Sequence, residues 1–206
     1  MSAAQSANVA ATLVDVGPED QLRAHLYRLL ARFLSGPPSP ATLEIGAALS
    51  GDHSELGRAI AAFAHICARS QAATVAEEYH ELFIGLVRGE LVPYGSYYLT
   101  GFLHEKPLAK LRQDMGRLGV ERDPDVLDPE DHIASLCEMM AGFIDGSLGR
   151  AFSLEQQKAF FTAHIGSWAP VLFRDMEAAK ASVLYATLGS VGRIFLEIEE
   201  GAFAMA

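Results

Sequence analysis

PEDQLRAHLYRLLARFL, residues 18–34, places Leu22, Leu26, Leu29, Leu30, Phe33 and Leu34 at i, i+4, i+7, i+8, i+11 and i+12. That spacing marks one face of a 3.6-residue period, with Arg23, Arg28 and Arg32 on the opposite side, so the stretch predicts an amphipathic α-helix. Such a helix must be covered by other elements. It ends at Gly36-Pro37-Pro38-Ser39-Pro40, where proline removes the N–H donors that a continuing helix would need.

The same period recurs along the chain. It predicts helices over about 41–49, 54–69 and 72–86, the last carrying Val75, Tyr79, Leu82, Phe83 and Leu86 on one stripe. Pro107 opens another to about Leu118, and Asp128-Pro129-Glu130-Asp131 reads as a helix start, with Asp128 as N-cap and Pro129 at the first helical position. Three more follow near 153–166, 169–180 and 182–200, the last with Leu184, Leu188, Val191, Phe195 and Ile198 inward. Residues 87–104 break the rhythm with Gly89, Pro93, Gly95 and Gly101 among aromatics, predicting a loop with at most a short helix. No segment alternates with period two between turns. The expectation is an all-α, single-domain helical bundle of about nine to eleven helices. Residues 1–16 are expected to be a mobile tail, 17–206 the single domain, and 119–128 a candidate hinge.

A chain of 206 residues that is 50% hydrophobic, with mean hydropathy +0.16, can fill one core without staples and is not intrinsically disordered. Sixteen basic against 26 acidic residues give a formal net charge of −10. Nucleic acids and anionic membranes are bound mainly through Lys and Arg, so that balance argues against both and favours a cationic partner. The first basic residue is Arg23, so a secretory n-region is absent and a cytoplasmic location is expected. The longest run free of Asp, Glu, Lys and Arg, Ala159 to Phe173, has 15 residues, short of a membrane span. Cys67 and Cys137 lie far apart with no Cys-x-x-Cys, and read as buried thiols.

Several motifs carry candidate chemistry. Asp123, Asp125, Asp128, Glu130 and Asp131 put five carboxylates within nine residues, more than helix capping requires and suited to a guanidinium. His132 follows at the edge of the apolar stripe of Ile133, Leu136, Met140 and Ile144, where a boundary residue is the simpler reading. Ser135 lacks a nucleophile elbow, so a hydrolase is not supported. Pro93-Tyr94-Gly95-Ser96-Tyr97-Tyr98 is an aromatic loop suited to a peptide, or equally to plugging a core. Glu77-x-x-His80 matches half of a di-iron helical site, but the second pair is missing. Trp168 shares a helix side with His164 and Phe161 and is expected in the core.

Four blocks in order carry a resemblance: Tyr79-x-x-Leu82-Phe83-x-Gly85, Pro93-x-x-Ser96-x-Tyr98, Pro129-x-Asp131-His132-Ile133 and His164-x-x-x-Trp168. Together the chain resembles the TorD/DmsD family of cytoplasmic molybdoenzyme maturation chaperones. The resemblance implies an all-helical, non-enzymatic protein that binds the twin-arginine signal peptide and apoprotein of a molybdopterin oxidoreductase until cofactor is inserted and export is safe. It implies a signal-peptide role for Tyr79, Phe83, Pro93, Tyr94, Gly95, Ser96, Asp128, Asp131 and His132. It also implies no catalytic residue, no metal, no cofactor of the chaperone's own, and mainly a monomer with a domain-swapped dimer beside it. Two departures stand out: Leu86-Val87 where the family has proline, and Asp128 where it commonly has Glu. The rival readings are a helical metal-dependent oxidoreductase using Glu77 and His80, and an acidic scaffold without a peptide groove.

Overall fold

The computed structural model describes residues 16–206, so the expected tail falls almost wholly outside the described residues. Among the described residues ten α-helices form, and the only strand-like pairing is one isolated bridge. In chain order they are α1 (Pro18–Leu34), α2 (Pro40–Ala47), α3 (Glu55–Cys67), α4 (Ala72–Tyr79), α5 (Gly95–Thr100), α6 (Lys106–Leu118), α7 (Ile133–Asp145), α8 (Leu154–His164), α9 (Ala169–Ala178) and α10 (Val183–Met205). Among the described residues no helix is long and apolar enough to cross a membrane.

Sequence decides which helix is central. Ten of the thirteen residues of α7 are buried, because apolar residues occur on nearly every side of it, and it packs along α1 and α8. Each large apolar side chain buried along these seams contributes roughly 1.5–3 kcal/mol. α10 runs beside α9 and α3. The α9–α10 crossing is close because two α10 residues lack side chains: a Cβ on Gly192 would lie 2.4 Å from the buried Phe173 ring, and one on Gly189 would lie 2.8 Å from the Phe173 carbonyl oxygen.

Four expectations are corrected, each by tertiary packing. Leu22 is 65% exposed, while Arg23, expected on the solvent side, turns to Glu199 of α10. Its Nε donates to Glu199 Oε1 at 2.7 Å and a terminal nitrogen donates to Oε2 at 2.9 Å; the Tyr27 hydroxyl donates to the same Oε2 at 3.0 Å. Correspondingly Ile198 is exposed and Glu199 is buried, because the inward face of α10 advances four residues from Phe195 rather than three.

The predicted helix over 72–86 stops early. α4 widens into a single π-helical turn at His80–Ile84, where the Gly85 N–H reaches back to the His80 carbonyl at 2.7 Å. Gly85 then adopts φ +61°, a conformation costly for other L-residues, and Leu91 N–H donates to the Leu82 carbonyl as the chain doubles back. Leu86 and Val87 are left wholly exposed at the tip.

Finally, α7 does not start at Pro129. Residues 129–131 form a turn closed by His132 N–H on the Pro129 carbonyl, His132 is extended at φ −64°, ψ 137°, and the helix begins at Ile133. The local start signal is overridden because this backbone pairs with residues 93–95.

Candidate functional site

That pairing is the frame of the site. Tyr94 and His132 form an antiparallel bridge, flanked by Gly95 N–H to the Asp131 carbonyl at 2.9 Å and Ile133 N–H to the Pro93 carbonyl at 3.0 Å. Two loops far apart in sequence are thereby joined back to back, each at the start of a helix, α5 and α7.

Side chains reinforce the joint. Asp131 Oδ2 accepts from Ser96 N–H at 2.7 Å and from the Ser96 hydroxyl, so a carboxylate from one loop caps the helix start of the other. Both residues are buried. His132 Nδ1 accepts from Ala134 N–H at 3.2 Å, which makes the imidazole the N-cap of α7 and leaves the ring proton on Nε2. Burial pushes its pKa down to about 4, against the opposing pull of Asp128 and Asp131, so the ring is neutral at pH 7. Tyr94 packs edge-on against it, with ring centroids 4.9 Å apart. The Tyr94 hydroxyl donates to Asp128 Oδ1 at 2.7 Å, and burial followed by this bond raises the phenol well above its ordinary pKa.

The residues expected at the site divide into layers. Tyr94 and Asp128 reach the surface, Pro93, Gly95, Ser96, Asp131 and His132 form the buried support, and Tyr79 is buried on α4 and Phe83 half-buried on the π-turn. The Tyr79 hydroxyl donates to the Leu34 carbonyl at 3.1 Å, and burial, then Asp128, pushes its pKa up to about 12. Phe83 stands edge-on to Tyr185 of α10 with centroids 5.2 Å apart. Gly95 backs onto Trp168, whose indole nitrogen a Cβ there would meet at 3.1 Å; Trp168 donates to the His164 carbonyl at 2.7 Å. His164 in turn bonds Asp114 through Nε2 at 2.9 Å, and burial, outweighing Asp114, lowers its pKa.

The five-carboxylate run is only partly free. Glu130 is held by Arg112 through three hydrogen bonds of 2.8–3.1 Å; burial would raise its pKa, but the guanidinium leaves it below the ordinary range. Asp131 is committed to Ser96, and Asp123 accepts from Asp125 N–H within its own turn. Asp125 and Asp128 remain on the surface. Sequence reasoning missed Arg112 as the partner of Glu130 and Ser96 as the partner of Asp131, since nothing in local spacing links α6 or α5 to residues 130 and 131. The pair Glu77 and His80 gathers no further ligands: among the described residues no group of three or more His, Cys, Asp or Glu is placed to hold a metal. Cys67 and Cys137 are free and buried.

Comparison with known proteins agrees with this architecture. The family model described as nitrate reductase delta subunit matches residues 49–174, more than half of the chain. Chaperone protein TorD of Vibrio cholerae serotype O1 is 26% identical over 130 residues, covering 60% of this chain and 59% of that protein. Chaperone protein TorD of Vibrio parahaemolyticus is 30% identical over 86 residues, covering 41% and 38%. The match thus spans about three fifths of the length of the first of these relatives or less. A crystal structure described as a redox enzyme maturation protein from Archaeoglobus fulgidus superposes with a TM-score of 0.57 at 22% identity, over 85% of this chain and 94% of that one, a likeness of fold.

Proposed function

We propose a chaperone function for this chain, which belongs to the nitrate reductase delta subunit family and is TorD-like. In this reading it binds the twin-arginine signal peptide and apoprotein of a molybdopterin oxidoreductase in the cytoplasm, and holds them until cofactor is inserted and export is safe. Binding, not catalysis, is its work.

The observation that carries the reading is the Tyr94–Asp128 contact at the surface, 2.7 Å long and backed by buried Asp131 and His132. A twin-arginine peptide presents guanidinium groups followed by apolar side chains, so its receptor needs a carboxylate beside an aromatic wall, held by rigid backbone. Here the carboxylate is Asp128 and the wall is Tyr94. The Asp131–Ser96 bonds and the His132 cap fix both loops without contacting the ligand. His132 has Nδ1 occupied by Ala134, which suits a support better than a proton shuttle.

Titration calorimetry tests it. The chain binds a twin-arginine peptide with affinity that falls as salt rises, since exposed charges are screened over about 10 Å at 0.1 M. Tyr94→Ala weakens binding by about 1–3 kcal/mol while the helical signal persists. Equal affinity for a peptide with both arginines replaced by glutamine overturns the reading.

A further inference from the structure

Asp128 has a second side. It also lines a groove of about 420 Å³ between the 119–128 loop, α1, α6 and α7, whose lining does not include Tyr94. The groove has a charged mouth and an apolar trough. At the mouth stand Glu121, Asp123 and Asp128; the single cation there, Arg122, is spent on the Val126 and Leu127 carbonyls at 2.9 and 3.1 Å. The trough is walled by Met115, Met139 and Leu148.

The register of α7 orders these parts along a line. Ala134 lies beneath the mouth, Met139 further along, and Leu148 folds back over Gly142, where an added Cβ would come within 2.4 Å of it. The eight helical rises from Ala134 to Gly142 span about 12 Å, the reach of roughly four residues of extended peptide. Glu138 also lines the groove, but Arg28 and Arg32 of α1 act on it electrostatically and offset its pull, so the three carboxylates at Glu121, Asp123 and Asp128 are the stronger draw for a ligand cation.

We propose that this groove receives the client segment directly after its arginines: one guanidinium sits at the Glu121–Asp128 mouth, and about four following apolar side chains lie along Met115, Met139 and Leu148. This rests on the signal-peptide reading and adds where the apolar part goes. Charge complementarity selects a basic then apolar segment, in that order along α7. Methionine walls suit apolar sequences that differ between clients, because the unbranched thioether repacks at low cost.

The test uses the full chain with two peptides, one with the apolar segment intact and one with its first four residues replaced by serine. Wild type binds the first about tenfold or more tightly than the second, the scale of a few buried apolar contacts. Leu148→Ser, at a half-exposed position, weakens the intact peptide and reduces that ratio, and Glu121→Gln weakens both peptides about equally. In parallel, methyl-labelled methionine NMR shows Met115 and Met139 shifting on peptide addition while Met176, buried in α9, stays fixed. If the intact peptide binds wild type but Leu148→Ser keeps the full ratio and the two methyl signals do not move, the groove assignment is overturned and the signal-peptide reading stands. If wild type binds neither peptide, both fall.

Discussion

Asp131 on one loop holds the start of the helix on the other, with Oδ2 shared between the amide and the hydroxyl of Ser96. The bond joins two segments 35 residues apart in sequence. Because both partners are buried, removing the carboxylate leaves an orphaned N–H and hydroxyl at the foot of α5.

Asp131→Ala is therefore expected to cost about 2–3 kcal/mol of unfolding free energy, and Ser96→Ala about 1–2 kcal/mol. The double variant falls short of their sum, since each single change removes the same contact. Denaturant unfolding of the four proteins measures this. Peptide affinity follows only to the extent that Tyr94 and Asp128 lose their positions. Strictly additive losses would show that the two residues stabilise the fold independently.

His132 makes stability depend on pH in a defined direction. Its folded pKa of about 4 lies below the ordinary imidazole value near 6.5, so between those values the unfolded chain takes up a proton that the folded chain excludes. Stability is full above the unfolded value and is lost as the pH falls through the window. From pH 7 to pH 5 the loss from this ring is on the order of 2 kcal/mol. His164 is shifted the same way, so the comparison must isolate His132. His132→Asn keeps a helix-capping side chain and has no titrating group, and melting curves at pH 5 and 7 should lie closer together for it than for wild type. An unchanged separation would place the pH sensitivity elsewhere.

Arg23 and Glu199 tie the first helix to the last through a pair whose acidic partner is almost wholly buried. Replacing Arg23 by alanine strands that carboxylate with only the Tyr27 hydroxyl, and breaking a buried pair from one side costs about 3–5 kcal/mol. Glu199→Gln, which removes the charge but keeps an acceptor for Tyr27, is expected to rescue part of the loss when added to Arg23→Ala. Thermal melts of the two variants check the order. Equal stability of the single and double variants would mean that lost packing of the Arg23 stem, not the stranded charge, sets the cost.

The legible parts of this chain were those where one local rule had no competitor. α6 runs to Leu118 from a start beside Pro107, as expected, and α8 begins at Leu154, one residue from the expected 153, where the structure shows a Ser153 capping box. Illegible were features created by contact between distant segments. The helix-start signal at Asp128-Pro129 is strong locally, yet pairing of His132 with Tyr94 delays α7 by a turn. The π-turn at His80 and the choice of Glu199 over Ile198 likewise depend on what packs against them. At the site, the contact between Asp128 and Tyr94 follows from no spacing, because it joins residues 34 apart through the bridge between their loops.

The 119–128 loop offers the last test. It follows α6, closes on itself through Arg122, and leads to α7, whose buried residues are covered by α1 from the other side of the loop. α3 and α10 meet across the same division. Neither half can cover its apolar stripes alone, and exchange of the halves between two copies would rebuild the same seams, confining the cost to the loop and to association entropy. The expected outcome is mainly monomer with a slowly interconverting dimer, separable by size-exclusion chromatography. Deleting three residues from the loop strains the intramolecular return to α7 and shifts the ratio towards dimer. Arg122→Ala, which frees the Val126 and Leu127 carbonyls, changes the interconversion rate with little effect on either end state. A dimer that exchanges within minutes and ignores loop length would instead be an ordinary surface association, and residues 119–128 would not be a hinge.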